Sequence, residues 1–169
     1  MKKIARFEKV SQEQFSSSWL DSFNESENVY DELKLPARAT KGSAGYDFFS
    51  PLDFTLNPGE SIKIPTGIRV FIEDGWVLKI YPRSGLGFKY RLQLNNTVGI
   101  IDSDYYYSDN EGHMFIKITN DSRENKTLSI KKGDAFAQGI FVEYGITYDD
   151  DVCETRNGGF GSTSKKKFE

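Results

Sequence analysis

The strongest constraint on the fold is the alternation of short apolar runs with turn signals from residue 34 onwards. Tripeptides such as Asn57-Pro58-Gly59 and Glu73-Asp74-Gly75 carry residues that set the backbone angles of tight turns. The runs between them are rich in β-branched and aromatic residues, which is typical of strands. The candidate strands are 4–10, 46–49, 61–64, 67–72, 76–81, 91–94, 97–101, 113–119, 127–130 and 135–143. Many short strands at this spacing predict an all-β sandwich, jelly roll or barrel.

One helix interrupts this pattern near the N-terminus. Ser11 and Gln14 form a capping box, which predicts a helix over about residues 12–23. Its apolar face carries aromatic residues at four-residue spacing, a pattern typical of core packing: Phe15, Trp19 and Phe23. We therefore interpret residues 1–155 as one β domain with one short N-terminal helix. The Gly-, Ser- and Lys-rich residues 156–169 are interpreted as a flexible C-terminal arm.

The chain has one cysteine, Cys153, and one histidine, His113, among its 169 residues. A single cysteine excludes an internal disulfide framework, and these two residues are too few for a thiolate or imidazole metal cage. A required metal would therefore be a hard cation held by oxygen, such as Mg²⁺. His113 follows Gly112 and precedes a strand-like run, so we expect it at an exposed strand position.

Charge and hydropathy limit the partners that this chain is expected to have. The net charge of −3 disfavours polymeric nucleic acid, which binds through cationic patches. No apolar run reaches the length that spans a bilayer, and the basic N-terminus lacks the apolar segment of a signal peptide. We therefore expect a cytoplasmic protein without membrane contact. Hydrophobic residues make up 37% of the chain, a low share that oligomerisation would offset.

Residues 99–105, Gly-Ile-Ile-Asp-Ser-Asp-Tyr, lead from a strand into two carboxylates and an aromatic ring. If the strand continues through this segment, Asp102 and Asp104 share one face. Gly99 has no Cβ, so a ligand could approach the backbone there. The pattern predicts a hairpin that meets the flat edge of a ligand, with an acid and the Tyr105 ring beside it. A surface hairpin tip with two aspartates is the alternative that this segment alone leaves open.

Five segments along the chain combine glycines and loop positions with side chains that bind phosphates or bases. They are residues 42–47, 82–87, 95–105, 132–138 and 156–163. The second segment, which follows a strand, offers a guanidinium, a hydroxyl and backbone N–H groups to a polyphosphate. The fifth places Phe160 inside a glycine-rich tail, which suits an arm that folds over a ligand and stacks on a base.

These five motifs and their order resemble those of the trimeric dUTPases, the deoxyuridine triphosphate nucleotidohydrolases, over roughly residues 34–164. The resemblance implies a jelly-roll-like subunit and a homotrimer whose active sites lie between subunits. It also implies hydrolysis of dUTP to dUMP and pyrophosphate with Mg²⁺. That activity limits uracil in DNA and supplies dUMP for dTMP synthesis.

The resemblance also implies a role for each matching residue. Asp102 corresponds to the catalytic carboxylate that activates the attacking water, and Tyr105 to the ring that leaves no room for a 2′-hydroxyl. Asp47 corresponds to the carboxylate that reaches Mg²⁺ through water. The residues implied for uracil and phosphate binding are Arg83, Ser84, Gly85, Asn96, Gly99, Ile101 and Gln138. Those implied in the C-terminal arm are Arg156, Phe160, Gly161, Ser162 and Thr163.

Three features depart from the usual family pattern. Only Asn157 separates Arg156 from the glycine pair, an insert of about residues 106–111 follows the third motif, and the N-terminal helix is additional. The insert and the helix resemble dUTPases of bacteriophages of Gram-positive hosts, some of which also bind a repressor protein. The three tyrosines at 105–107 suit a protein interface, and a plain surface extension is the alternative.

Other functions and structural roles remain open from the sequence. A dCTP deaminase-type relative of the same fold carries Arg-Ser-Ser, whereas Gly85 follows Arg83 and Ser84 here. A regulatory binding protein gated by nucleotide is a second alternative. Asp47 could simply end a strand, and Gln138 could be a satisfied core amide.

Overall fold

The computed structural model describes residues 1–154. Eleven strands lie within these residues: β1 (Ala5–Lys9), β2 (Tyr46–Phe49), β3 (Phe54–Leu56), β4 (Ser61–Pro65), β5 (Ile68–Ile72), β6 (Trp76–Pro82), β7 (Leu92–Leu94), β8 (Gly99–Ile101), β9 (Phe115–Asn120), β10 (Leu128–Ile130) and β11 (Ala135–Glu143). The helices are α1 (Gln12–Phe23) and α2 (Ser84–Tyr90), with 3₁₀ turns at Tyr30–Glu32 and Ser103–Tyr107. The all-β class with minor helix is confirmed.

The strands form four small antiparallel sheets rather than one closed barrel within the described residues. The largest has the order β2-β11-β6-β8, the next has the order β4-β9-β7, and two pairs join β1 to β5 and β3 to β10. Burial alternates along strands such as β5, because successive side chains point to opposite faces. The inward side chains form one main core that includes Phe48, Ile64, Leu78, Ile118 and Phe136.

The N-terminal helix is confirmed over residues 12–23. The Ser11 hydroxyl accepts a hydrogen bond from the Gln14 N–H at 3.2 Å, which satisfies one of the free donors at the start of α1. Phe15 and Trp19 are buried with Val10 and Val29 in a second, smaller cluster. The helix is thus fixed to the domain by its own apolar face. Among residues 1–154, no helix has the length and apolar character needed to cross a membrane.

The local structure differs from the sequence-based expectations in several places. Strand β3 was not predicted, and β7 and β8, on either side of the predicted hairpin turn, pair with β9 and β6 rather than with each other. The strand predicted over 97–101 begins at Gly99, and Asp102 starts the 3₁₀ turn rather than continuing the strand. The expected strand alternation therefore does not extend through Asp104. The second motif, expected as a loop, continues from β6 directly into α2.

Candidate active site

The central sheet brings together three site residues that are far apart in the sequence. Gln138 on β11 lies opposite Asp47 on β2 and opposite Tyr81 on β6. Its Nε2 donates a hydrogen bond to the Pro82 carbonyl at 3.1 Å. One residue further along, Arg83 Nε lies 3.1 Å from Asp47 Oδ1. We call Asp47, Arg83 and Gln138 the phosphate-side cluster.

Gly45 lies beside the phosphate-side cluster and makes room for Gln138, a role that the sequence pattern did not predict. A Cβ at Gly45 would lie 2.7 Å from Gln138 Oε1, which is closer than a real Cβ approaches an oxygen. The absence of a side chain at Gly45 therefore leaves the space that the Gln138 amide occupies. Gln138 is partly buried, and its amide lies at the sheet end beside Pro82 rather than within the apolar core.

The phosphate-binding motif continues from the end of β6 into α2. Arg83 has extended backbone angles at the N-cap position, and Ser84 and Gly85 in the first turn are exposed to solvent. An open cavity of about 400 Å³ adjoins this turn. It is lined by Tyr81, Pro82, Arg83, Ser84, Gly87, Phe88 and Leu92. A guanidinium, a hydroxyl and backbone N–H groups thus face a cavity that is large enough for part of a nucleotide.

Asp102 occupies the other part of the candidate site, at the end of β8. Gly99 lies opposite Ile80 and Ile101 opposite Leu78 on β6. A Cβ at Gly99 would stand 3.0 Å from the Ile80 Cβ, so packing within the sheet already requires a very small residue there. Asn96 is exposed in the preceding turn, and Asp102 is partly exposed.

The register places Asp102 and Arg83 near opposite ends of β6. Ile101, the neighbour of Asp102, pairs with Leu78, whereas Arg83 follows five residues after Leu78. At about 3.3 Å per strand residue, this spacing separates Asp102 from Arg83 by roughly 15–20 Å along the strand. Within one chain, Asp102 and the phosphate-side cluster therefore lie at separate places along β6.

Tyr105 lies within the main core and is only 6% exposed. Its hydroxyl donates a hydrogen bond to the His113 carbonyl at 2.7 Å and accepts one from Asn110 Nδ2 at 2.8 Å. The predicted insert thus begins directly beside a buried ring and returns to contact that ring. Neither Asn110 nor His113 carried a signal in the sequence that predicted this role.

The expectation of an exposed His113 is wrong, because the side chain is fully buried. The Gly67 N–H donates to His113 Nε2 at 2.8 Å, so Nδ1 carries the ring proton and contacts Ser18 Oγ on α1 at 3.0 Å. Burial lowers the pKa of His113 to about 4, against the opposing effect of the nearby Glu111 carboxylate. The neutral ring links the N-terminal helix to the loop before β5.

The insert and the N-terminal segment, two features that depart from the family pattern, contact each other. Glu111 accepts hydrogen bonds from the Ser11 N–H at 2.7 Å and from the Ser11 hydroxyl at 2.6 Å. Burial opposes ionisation of Glu111, but these bonds outweigh it and hold the pKa of Glu111 below its ordinary value. The Tyr106 hydroxyl donates a hydrogen bond to Glu8 Oε2 at 2.6 Å. The Arg69 guanidinium stacks on the Tyr106 ring, with its Cζ 3.7 Å from the ring centre.

Of the three tyrosines expected at an interface, only Tyr107 is largely exposed, at 72%. The hydroxyls of Tyr105 and Tyr106 form hydrogen bonds within the chain. The insert is therefore an ordered part of the domain with one projecting ring.

The arm residues assigned from the fifth motif lie outside the described residues. They are Arg156, Phe160, Gly161, Ser162 and Thr163.

Within residues 1–154, no group of three or more His, Cys, Asp or Glu side chains could hold a metal by itself. The Asp47 carboxylate, which lies in the phosphate-side cluster, is a hard oxygen donor of the kind that Mg²⁺ prefers.

Comparison with protein families gives a match to the dUTPase family over residues 31–164. A deoxyuridine 5′-triphosphate nucleotidohydrolase of Lactococcus lactis is 42% identical over 134 residues, covering 78% of this chain and 88% of the relative. Among solved structures, the dUTPase of Streptococcus mutans is 30% identical with a TM-score of 0.62, covering 83% of this chain and 97% of that one.

Phage proteins also share this fold. The dUTPase of Staphylococcus bacteriophage 80alpha, solved with dUPNHPP, has a TM-score of 0.63 at 24% identity, covering 95% of this chain and 98% of that one. That work describes phage dUTPases as controlling the transfer of virulence genes by a mechanism like that of a proto-oncogenic G protein.

Proposed function

The chain belongs to the dUTPase family and is a dUTP diphosphatase, and we propose that two separate parts of its surface divide the reaction. The phosphate-side cluster binds the triphosphate. Residues 96–105, which we call the Asp102 segment, supply the catalytic carboxylate and the pocket for uracil and deoxyribose. The observation that carries this proposal is the convergence of Asp47, Arg83 and Gln138 from three separate motifs. A structural role alone does not explain why a partly exposed cation, carboxylate and amide meet beside an open cavity.

The chemical step is an attack of water on the α-phosphorus. The Asp102 carboxylate orients this water and accepts its proton, while the bond between the α-phosphorus and the bridging oxygen breaks and pyrophosphate leaves. Arg83 and Ser84 hold phosphate oxygens as negative charge moves onto the leaving group. Gln138 and the Gly85 N–H add neutral donors to the same oxygens.

Mg²⁺ is the proposed cofactor of this site. When bound, it would neutralise phosphate charge and fix the phosphate chain in one geometry. Asp47 would hold the ion through water, since Arg83 already contacts one of its carboxylate oxygens. On nucleotide binding, we expect the Arg83 guanidinium to turn from Asp47 towards the phosphates, which releases the carboxylate.

Uracil and deoxyribose are proposed to bind at the Asp102 segment. Asn96 and the backbone from Gly99 to Ile101 present a fixed set of donors and acceptors to the uracil edge. Cytosine would leave buried polar groups unpaired and is therefore disfavoured. We propose that the ring of Tyr105 lies against the deoxyribose and leaves no room for a 2′-hydroxyl.

Product analysis with dUTP, dCTP and UTP in the presence of Mg²⁺ tests this assignment. We expect dUMP and pyrophosphate from dUTP, with dCTP and UTP turned over far more slowly. Orthophosphate as the first product, or deamination of dCTP, would overturn it. Together, the motifs and Gly85 in the second motif favour hydrolysis over the deaminase alternative.

We propose a homotrimer with sites shared between subunits, and the separation along β6 supports the sharing. A second copy must supply the phosphate-side cluster that faces a given Asp102. Large apolar side chains are exposed after β11, where a neighbouring subunit would cover them: Tyr144, Ile146, Tyr148 and Val152. A group of exposed apolar side chains on one chain is typical of a surface that another subunit covers.

Subunit complementation tests the shared site. Asp102→Asn and Arg83→Ala are each expected to be nearly inactive as pure proteins. If one site draws these residues from two subunits, randomly mixed oligomers regain about a quarter of the wild-type sites, because one subunit pairing in four is intact. Absence of regained activity in confirmed mixed oligomers, or full activity of a monomer, would contradict the proposal.

The C-terminal arm is proposed to close each site. Phe160 would stack on uracil, Arg156 would bind the γ-phosphate, and the segment Gly161, Ser162 and Thr163 would contact phosphate oxygens. A chain ending before Arg156 is expected to remain a folded oligomer with poor turnover of dUTP. Full activity of this truncated chain would remove the arm from the mechanism. We place the reaction in the cytoplasm, without a membrane or a polymeric nucleic acid as partner.

A second function, nucleotide-gated binding of a repressor-type protein, is favoured by one observation. Tyr107 projects from the insert at 72% exposure, five residues after Asp102. Because Tyr106 and Glu111 hold the rest of the insert, Tyr107→Ala is a sharper test than deletion of the insert. We expect it to weaken partner binding, with and without a non-hydrolysable dUTP analogue, while dUTP turnover is kept. Unchanged binding would leave the insert as a surface extension.

A further inference from the structure

The phenol of Tyr105 is held from two sides, by Asn110 of the insert and by His113 just after it. Asn110 Nδ2 donates to its oxygen at 2.8 Å, and its own hydrogen is donated to the His113 carbonyl at 2.7 Å. The ring is 6% exposed, and Asn110 is partly buried. The hydroxyl is thus satisfied as both acceptor and donor by the chain itself.

The turn that carries Asn110 is itself tightly specified. The Gly112 N–H donates to Asn110 Oδ1 at 3.2 Å, and the His113 N–H donates to the Asn110 carbonyl at 3.0 Å. Gly112 has a φ of +71°, and a Cβ there would lie 2.8 Å from the Tyr105 carbonyl oxygen. The segment therefore folds back directly onto the backbone of Tyr105, and one asparagine side chain closes both the turn and the contact to the ring.

We propose that Asn110 is a positioning residue for sugar specificity, acting through the hydroxyl of Tyr105. The inference rests on the proposed placement of the Tyr105 ring against the deoxyribose. A ring excludes a 2′-hydroxyl only if it cannot shift to make room for the extra oxygen. The two hydrogen bonds on the phenol oppose that movement, so the insert sets the discrimination between dUTP and UTP.

Asn110→Ser is the matched variant, because serine can still accept the Gly112 N–H in a turn but is too short to reach Tyr105. We expect the ratio of kcat/KM for UTP to that for dUTP to rise about three- to tenfold, the range expected for one lost hydrogen bond. The change should appear mainly as improved use of UTP, with the kcat for dUTP little altered. Thermal unfolding and oligomer mass check that the variant is folded.

A double-mutant cycle with Tyr105→Phe separates positioning from a general structural effect. If Asn110 acts through the phenol, Asn110→Ser shifts the UTP/dUTP ratio in the wild type but not in the Tyr105→Phe background. The same shift in both backgrounds would overturn the inference, as would an unchanged ratio in Asn110→Ser. If Asn110→Ser does not fold, Tyr105→Phe alone decides: an unchanged ratio there also overturns it.

The wild type distinguishes this inference from the function on which it rests. A wild type that fails to prefer dUTP over UTP would overturn the proposed sugar contact itself. A wild type that prefers dUTP, with the same preference in Asn110→Ser, would overturn only the role of Asn110.

Discussion

The two parts of the candidate site are held in place by different means. The phosphate-side cluster is positioned by the register of β2, β11 and β6, and its members stay partly open to solvent, with the Arg83 side chain 44% exposed. The Asp102 segment leads into the buried residues Tyr105 and His113, which contact α1 and the insert. Substitutions in the first part should alter turnover alone, whereas those beyond Asp102 should also alter the free energy of unfolding.

The largest effect on the reaction is expected for Asp102→Asn. The amide keeps the size of the carboxylate but cannot accept the proton of the attacking water, so kcat should fall by roughly 10²-fold or more. Binding of a non-hydrolysable dUTP analogue should be nearly unchanged, since the uracil and phosphate contacts remain. Steady-state kinetics and calorimetric titration measure these two quantities.

Asp102 itself is partly exposed, so its substitution should leave the thermal midpoint close to that of the wild type. A near-normal kcat would remove Asp102 from the catalytic role. A large drop in the thermal midpoint would mean that Asp102 itself belongs to the part of the site that stabilises the fold.

The next effect concerns stability and pH, and it arises at His113. Its pKa is lowered to about 4 by burial, from 6.5 for the free side chain. The unfolded chain therefore binds a proton between these values while the folded chain does not. Stability is complete above about pH 6.5 and falls as the pH drops to about 4, by about 3 kcal/mol in all.

Thermal or urea unfolding at fixed protein concentration, from pH 7 to pH 5, measures about 2 kcal/mol of this loss. His113 is the only histidine of the chain, and the carboxylates with lowered pKa titrate below this window. His113→Gln should be less stable at pH 7 but should show a flatter dependence over the same range. An equal slope in both proteins would assign the pH dependence to other groups.

The sequence predicted what is local and missed what is distant. The capping box at Ser11 and the aromatic spacing of α1 set the helix limits, and both signals lie within the helix. The burial of His113 depends on Ser18, 95 positions earlier, and no local pattern reports such a contact. The helix α2 was missed because Gly85 and Gly87 disfavour helix. Packing of Leu86 and Tyr90 of α2 against the main core overrides that preference.

The candidate site divides in the same way. The motif residues Asp47, Arg83 and Gln138 were predicted as binding residues, and the sheet register explains why their spacing brings them together. Asn110 and Glu111 were predicted only as part of an insert. Their roles depend on partners that the chain supplies elsewhere, at Tyr105 and at Ser11.

The smallest predicted effect is a difference in stability between two substitutions. One removes the charge of Glu111 in the insert, and the other removes the charge of Arg83 in the phosphate-side cluster. Glu111 accepts two hydrogen bonds from Ser11 at the N-terminus of α1, where a negative charge is also favoured by the helix dipole. Glu111→Gln keeps the size but loses the charge, and should lower the free energy of unfolding by about 1 kcal/mol.

Arg83→Gln is the matched control. The ion pair of Arg83 with Asp47 is more exposed and should contribute less than about 0.5 kcal/mol to stability. Urea unfolding of both variants at pH 7 measures the difference, and dUTP turnover should show the reverse order, with the large loss in Arg83→Gln. Equal destabilisation by the two substitutions would mean that the phosphate-side cluster is as tightly coupled to folding as the insert.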